Sequence, residues 1–236
     1  MRIAVLGDVH GNIEALDRVL AEADRRGCER CFHTGDLVGY GPRPNETVDR
    51  IAAGRIAGVR GNFDESAAWD GDSPGSKGDS RGRDLAERTF RWTVANLGFR
   101  QKNYLKDVPF SIDTELGGRR VAFFHASPDD LYTPIDEAST DAALAALASE
   151  TGADIHLFGH THRPFHRTVE GKHFINAGSV GFPGDRDPRA CLAVITIGGR
   201  VEVEFVRVTY DYETAAKDAE AAGLPEAIAR RIRTGS

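Results

Sequence analysis

Short apolar runs that stop at a glycine alternate along this chain with stretches of helical period. "RIAVL" (2–6), closed by Gly7, predicts a buried strand. Residues 13–26 then place Ile13, Leu16, Val19, Leu20 and Ala23 on one helical face, with Asn12 as the expected N-cap and Gly27 as the stop. "CERCFHT" (28–34) predicts a second strand, residues 45–54 a helix capped by Asn45, and "RIAGV" (55–59) a third strand. Strands and helices in this order point to an α/β fold built in layers.

The pattern breaks at 70–84, which holds no apolar residue and predicts a polar, mobile surface loop, either a tolerated insertion or a lid. Helical period resumes over 85–97, with Phe90 and Trp92 as packing anchors. Residues 108–116 and 119–125, joined by Gly117 and Gly118, read as a hairpin. An alanine-rich helix is expected over 136–150, a strand over 153–158, and hairpins over 166–176 and 189–210. In the last arm Val201, Val203 and Phe205 face one way and Glu202 and Glu204 the other. Residues 213–234 predict one or two surface helices. There is no internal repeat, and the whole of 1–236 reads as one domain.

Composition narrows the partners. Thirty basic against 36 acidic side chains give a net charge of −6, which disfavours nonspecific binding to nucleic-acid backbone. No run of 18 or more apolar residues is present, so no membrane span is expected. The opening "MRIAVLGDVHGN" is too short in apolar residues for a secretory leader, and the expected location is the cytoplasm. Cys28 and Cys31 form a lone "CERC" without the context of a redox or zinc pair, and Cys191 reads as a buried strand residue.

The candidate chemistry sits where strands end. "AVLGDVHGN" offers Asp8 and His10, "CFHTGDLVGYG" Asp36, "AGVRGNFD" Asn62, "VAFFHASP" His125, and "IHLFGHTH" His160 and His162. Singly, each has a bland reading: an Asp-x-His arises by chance, and His125 alone fits a hydrogen-bonded core histidine. Together they do not, because every one follows an apolar strand and none lies mid-helix. Polar residues at the carboxyl ends of strands in an open α/β sheet converge on one crevice. Oxygen and nitrogen donors there suit two divalent first-row ions. His33, His156, His166 and His173 read as satisfied structural histidines, with His33 or His156 able to support a ligand from behind.

As a set, "GDVHGN" (7–12), "GDLVGYGP" (35–42), "GNFD" (61–64), "HAS" (125–127) and "GHTH" (159–162) resemble the calcineurin-like metallophosphoesterases. "FINAGSVGFPGDRDPRACLAVI" (174–195) is similar to the small bacterial and archaeal branch. The resemblance implies a four-layer α/β/β/α sandwich with two mixed sheets. It implies that Asp8, His10, Asp36 and His162 hold one metal, and that Asp36 bridges to a second held by Asn62, His125 and His160. The implied ions are two divalent metals, Mn²⁺ first, with Fe, Zn, Ni or Co as alternatives. They lie about 3.5 Å apart and generate a bridging hydroxide that attacks phosphorus. Asp36, Asn62 and Asp64 are the implied catalytic residues, Asp64 by orienting a neighbouring histidine.

That histidine is missing. Where the family reads Gly-Asn-His-Asp, this chain has Gly61-Asn62-Phe63-Asp64. Phenylalanine neither donates a proton nor carries charge. The chain is then an esterase for good leaving groups or with another acid, one whose Phe63 packs on a substrate ring, or a weak enzyme that mainly binds; Phe63 as core filler is the plain alternative. Arg60 either reaches a phosphate or pairs with Asp64 or Glu65, so Arg60, Asn62 and Phe63 are the candidate substrate contacts. Tyr40, Pro42 and Arg43 flank the opening. The expected function is hydrolysis of phosphodiesters or nucleotide-type phosphate esters by a monomer or homodimer. The alternative is a metal- and phosphate-binding regulatory module, with nucleic-acid processing the least favoured.

Overall fold

Strand β1 (Arg2–Leu6) is buried from Ile3 onward, because its last four side chains are all apolar. In the computed structural model, which describes residues 1–74 and 80–236, helix α1 (Ile13–Arg25) follows it. Asn12 Oδ1 accepts the Ala15 N–H at 3.1 Å, and Leu16, Val19, Leu20 and Ala23 are buried as their spacing predicts. Strand β2 (Arg30–His33), helix α2 (Pro44–Ala53) and the two-residue β3 (Ala57–Gly58) continue the alternation. Asn45 is not the cap of α2. Pro44, whose fixed φ suits the first helical position, starts that helix one residue earlier. The Asn45 side chain instead accepts the Gly98 N–H at 2.7 Å and donates to the Asn96 carbonyl at 2.8 Å, tying two later helices to α2.

Helices α3 (Asn62–Ala68), α4 (Ser80–Asn96) and α5 (Phe99–Asp107) come next. The polar stretch expected as a loop over 70–84 lies partly outside the described residues, and its end from Ser80 belongs to α4. A lid there is therefore outside the described residues too. Strands β4 (Ile112–Leu116) and β5 (Arg119–Phe123) form the expected hairpin. Helix α6 (Asp141–Thr151) begins later than the alanine pattern predicts. The Asp136 carboxylate accepts the Ala138 N–H and Ser139 Oγ accepts the Asp136 N–H, which holds 136–139 in a turn. Then come β6 (Ile155–Phe158), β7 (Phe165–Val169), β8 (Lys172–Asn176), β9 (Ala190–Ile197), β10 (Val201–Val208), α7 (Tyr212–Ala221) and α8 (Glu226–Thr234).

The strands make two mixed five-stranded sheets, ordered β10-β9-β1-β2-β3 and β4-β5-β6-β8-β7. In the first, β1, β2 and β3 run parallel; in the second, β5, β6 and β8 do. Between the sheets lies one apolar layer, with Ile3, Val5 and Phe32 from the first meeting Phe123, Leu157 and Ile175 from the second. The outer face of the first sheet packs on α1, α2, α7 and α8, and that of the second on α6. This is the four-layer sandwich. Its two parallel sets end on the same side, which brings Asp8, Asp36, His125 and His160 together.

His33, at the end of β2, departs from the expectation of a satisfied histidine. It is 1 % exposed, and its Nδ1 has no hydrogen-bond partner among the described residues. Burial alone pushes its pKa from 6.5 down to about 4. Below pH 6.5 the unfolded chain therefore binds a proton that the folded chain refuses, and stability falls as pH drops towards 4. At pH 5 this one group costs about 2 kcal/mol relative to pH 8. A His33→Phe variant is expected to lose less stability than wild type in urea melts between pH 7.5 and 5. Parallel losses would mean His33 is not the titrating group. His156 is the satisfied case: it contacts Thr151 Oγ1 at 2.8 Å and stacks on Phe174.

Candidate metal centre

Two groups of donor atoms, each within 4.8 Å of one another, occupy the common end of the sheets: Asp8, His10 and His162, and Asp8, Asp36 and His125. Asp8 and His10 follow β1, Asp36 follows β2, His125 follows β5, and His160 and His162 follow β6. Asn62 is the first residue of α3, so the stretch after β3 forms a helix start instead of a plain turn. Five of these seven residues hold left-handed backbone: Asp8 (φ 50°), His10 (48°), Asp36 (53°), His160 (68°) and His162 (59°). Such conformations are uncommon outside glycine and persist where the surroundings hold them. Here the turns hold one another. His10 N–H donates to the Asp36 carbonyl at 2.9 Å, His160 N–H to the Asp8 carboxylate at 3.1 Å, and Ser179 Oγ to the Asp8 carbonyl at 2.7 Å. Gly159 is required for that approach: a Cβ there would stand 2.6 Å from Asp8 Oδ2.

The histidine protons can be assigned from their partners. Nδ1 of His10, His125 and His162 lies against the carbonyls of Val38 (2.9 Å), Thr34 (2.7 Å) and Phe182 (2.6 Å), so each Nδ1 carries a hydrogen and donates it. Each Nε2 is then a bare lone pair. Yet Nε2 of His10 and of His162 face each other at 3.1 Å, and His125 Nε2 lies 2.9 Å from Asn62 Oδ1 and 3.2 Å from His160 Nδ1. Asp36 Oδ2 stands 3.6 Å from His10 Nε2 and 3.6 Å from His125 Nε2, between the two sets. Asp8 Oδ1 is 3.4 Å from His162 Nε2. Acceptors converging on acceptors, with carboxylates among them, repel one another unless cations sit at both points. The donors are nitrogen and oxygen, and they fit two divalent first-row ions, with Asp8 common to both groups and Asp36 between the histidines.

A family model described as a calcineurin-like phosphoesterase superfamily domain matches residues 1–200. The chain belongs to that superfamily. An uncharacterized protein of Methanocaldococcus jannaschii is 29% identical over 250 residues, covering 99% of this chain and 98% of its own. The crystal structure of a metallophosphoesterase from Sphaerobacter thermophilus superposes with a TM-score of 0.81 at 28% identity over 100% of both chains. A hypothetical protein from Pyrococcus horikoshii shares the fold, with a TM-score of 0.85 at 23% identity over 100% of this chain and 98% of that one. Fold and donor clusters together support a metal-dependent hydrolase of the phosphoesterase superfamily.

The electrostatics of this phosphoesterase site suit cations. Burial pushes Asp36 well above the ordinary carboxylate range, with Asp64 and Asp8 adding to it. Burial also works upward on Asp8, but His162, His125 and His10 together hold its carboxyl at about 2. Burial, seconded by other histidines, lowers His10 and takes His160 to about 4; it lowers His125 as well. The imidazoles of His10, His125 and His160 are therefore neutral near pH 7, as ligands must be.

Two expected participants stand elsewhere. Both oxygens of Asp64 are taken by backbone: Oδ1 accepts from Leu37 (2.8 Å) and Val38 (3.2 Å), Oδ2 from Gly61 (3.1 Å). It pins the Asp36 loop to the start of α3 and does not point into the crevice. Arg60 turns away as well. It pairs with Glu65, donates to the Val108 carbonyl at 3.1 Å and lies over Trp69. Of the two roles open to it in the sequence, pairing is the one adopted.

Phe63 is 5 % exposed and belongs to the core. Its N–H donates to Asp36 Oδ1 at 2.9 Å. Its ring lies 4.9 Å from Tyr40 and edge-on to His10 at 5.3 Å, and a Cβ at Gly39 would stand 2.5 Å from a ring carbon. The ring is thus packed by protein and is no free platform for a substrate base. It reaches the crevice, of about 280 Å³, only as part of a wall with Tyr40, Tyr132, Phe182 and Arg231. Arg231 and Phe182 were not among the expected residues. Arg231 is one of several arginines in an amphipathic helix, and no local signal marks it. The "CERC" thiols belong to neither donor group, and burial raises both, Cys31 to about 11, so neither is a ready thiolate.

Proposed function

We propose that this protein is a binuclear-metal phosphoesterase acting on phosphodiesters or nucleotide-type phosphate esters, with no side-chain acid at position 63. The observation that carries this is the opposition of unprotonated acceptors, His10 Nε2 to His162 Nε2 and His125 Nε2 to Asn62 Oδ1, on either side of Asp36 Oδ2. Asp8, His10, Asp36 and His162 would hold one ion, and Asp36, Asn62, His125 and His160 the other, Mn²⁺ being the first to test. When bound, the ions supply Lewis acidity that acidifies water and offsets phosphoryl charge.

The chain's own residues do the rest. The backbone carbonyls of Val38, Thr34 and Phe182 fix three imidazoles with Nε2 inward. The Phe63 N–H holds Asp36 through Oδ1 and leaves Oδ2 for the centre. Asn62 presents Oδ1 towards His125 Nε2 and keeps its NH₂ for a phosphoryl oxygen. Tyr40, Phe63 and Phe182 exclude water from one side. With Phe63 where a histidine would stand, departure of the leaving group is unassisted by that position, which favours weakly basic leaving groups. The same substitution favours, as second reading, a metal- and phosphate-binding module with little turnover. We place the protein in the cytoplasm with a small phosphate ester as its partner.

The test is hydrolysis of bis(p-nitrophenyl) phosphate with Mn²⁺, Fe²⁺, Zn²⁺, Ni²⁺ and Co²⁺ in turn. Turnover that chelator removes and metal restores is expected. No rate above the metal blank with any ion would leave the binding module.

A further inference from the structure

Arg231 is the cation of the crevice, and no carboxylate neutralises it. Every other strong arginine contact at the C-terminal helices is an ion pair, as between Arg233 and Glu213 or Arg43 and Asp218. Arg231 instead gives its Nε and Nη2 hydrogens to the Pro183 carbonyl, at 3.2 and 3.0 Å. Among the described residues Nη1 has no hydrogen-bond partner, and the ionisable neighbours that act on the guanidinium are the Tyr40 phenol, itself pushed up to about 12 and so neutral, and the cation Arg163. Burial lowers its pKa, and no acid offsets this. A half-buried, unpaired guanidinium is costly unless something anionic uses it.

Its placement says what that anion is. The Arg231 guanidinium carbon lies 3.9 Å over the Phe182 ring, and Tyr40 stacks on the same ring at 4.3 Å and 9°. Two groups so close to one ring centre take opposite faces. Phe182 is in turn 6.1 Å from the rings of both His10 and His162. Arg231 is therefore one aromatic ring removed from the ligand histidines, while the phosphoryl group under attack belongs at Asp36, Asn62 and His160. Arg231 also lines an adjoining groove with Arg163, whose Nε donates to the Gly184 carbonyl at 3.1 Å; Asp136 and Glu137 line the same groove, and neither pairs with Arg231.

Resting on the phosphoesterase reading above, we propose that Arg231 binds a second phosphoryl group, so that the substrate is a diphosphate cleaved at its P–O–P link. Water oxygen bonds to one phosphorus as that same phosphorus loses its bond to the bridging oxygen. The bridging oxygen keeps the electron pair and leaves on the second phosphate, and the water proton passes to solvent. A phosphate leaving group departs as an anion, so a fixed guanidinium beside it replaces the proton that Phe63 cannot give.

Binding separates this from the hydrolytic reading. Titration calorimetry on the Mn²⁺-loaded protein would compare methylenediphosphonate with methylphosphonate. Wild type is expected to prefer the diphosphonate by about 30-fold, the value of one or two charge-assisted hydrogen bonds. Arg231→Gln is expected to cut that preference to about 3-fold or less, with methylphosphonate affinity nearly unchanged. Because Arg231 also holds Pro183, circular dichroism checks folding, and Arg231→Lys, which keeps the charge without the fork, is expected to fall between the two. An unchanged preference, or equal weakening of both ligands in a folded variant, overturns the proposal. Turnover of bis(p-nitrophenyl) phosphate without any diphosphonate preference overturns it while the hydrolytic reading stands. An Arg231-dependent preference without any turnover upholds the site and sinks the hydrolytic reading.

Discussion

Asp36→Asn is expected to lose at least about 10³-fold in kcat/KM on bis(p-nitrophenyl) phosphate, about 4 kcal/mol of transition-state stabilisation. Metal content should fall from two ions per chain to one or none. The reason is position. Asp36 Oδ2 is 3.6 Å from a nitrogen of each donor group, which places it to bridge them in the proposed centre. An amide oxygen there keeps shape but carries no charge. Asn at 36 can still accept the Phe63 N–H, so the start of α3 need not move.

Stability distinguishes this loss from misfolding. Without metal, burial and the nearby Asp64 and Asp8 push the Asp36 carboxyl well up, so its ionised form is a liability in the folded chain. A neutral isostere relieves that. With chelator present, Asp36→Asn should melt at or above the wild-type temperature. With Mn²⁺ added, wild type should gain stability by ligand linkage, about 2.7 kcal/mol at a hundred times Kd, and the variant much less. Scanning calorimetry in both conditions checks this. Retention of two ions with more than a tenth of the rate would remove Asp36 from the shared position.

How far the sequence reaches can be judged residue by residue. Most strand-end donors were legible because two regularities coincide: an apolar run closed by glycine, then Asp8, Asp36, Asn62 or His160 directly after it; His125 follows its apolar run with no glycine between. The layered fold follows from the same runs, and Val201, Val203 and Phe205 do pack into the layer between the sheets. Helix α3 was illegible because its first turn, Asn62 to Asp64, reads locally as a turn. What makes it helical is long-range, the Asp36 carboxylate accepting the Phe63 N–H and the Asp64 carboxylate accepting from Leu37 and Val38. Asp64 and Arg60 illustrate the same limit. A polar side chain beside a motif has several partners within reach, and only the packed chain selects among them. Arg231 and Phe182 lie 49 residues apart and meet only because α8 folds back over the loop after β8.

Phe63→His is expected to raise kcat on esters of weakly acidic alcohols by about 10- to 100-fold, and on p-nitrophenyl esters by less than about 3-fold. A general acid matters in proportion to the basicity of the leaving oxygen, so the slope of log kcat against leaving-group pKa should flatten. The gain is placed at the low end of what an acid supplies for a structural reason. An orienting carboxylate would normally hold the new imidazole, but both Asp64 oxygens are already bound to backbone N–H groups. The ring at 63 would also exchange apolar contacts with Tyr40 and Phe90 for a polar atom in a nearly buried place. That exchange costs about 1–3 kcal/mol of folding stability, which a urea melt would show alongside the kinetics. Metal content should be unchanged, because Phe63 reaches Asp36 through its backbone N–H, which histidine retains. An equal gain across the whole leaving-group series, or none at any member, would mean that position 63 does not limit departure of the leaving group. The chain would then hold its aromatic wall for packing alone, and the search for an acid would move to the crevice's other hydroxyls.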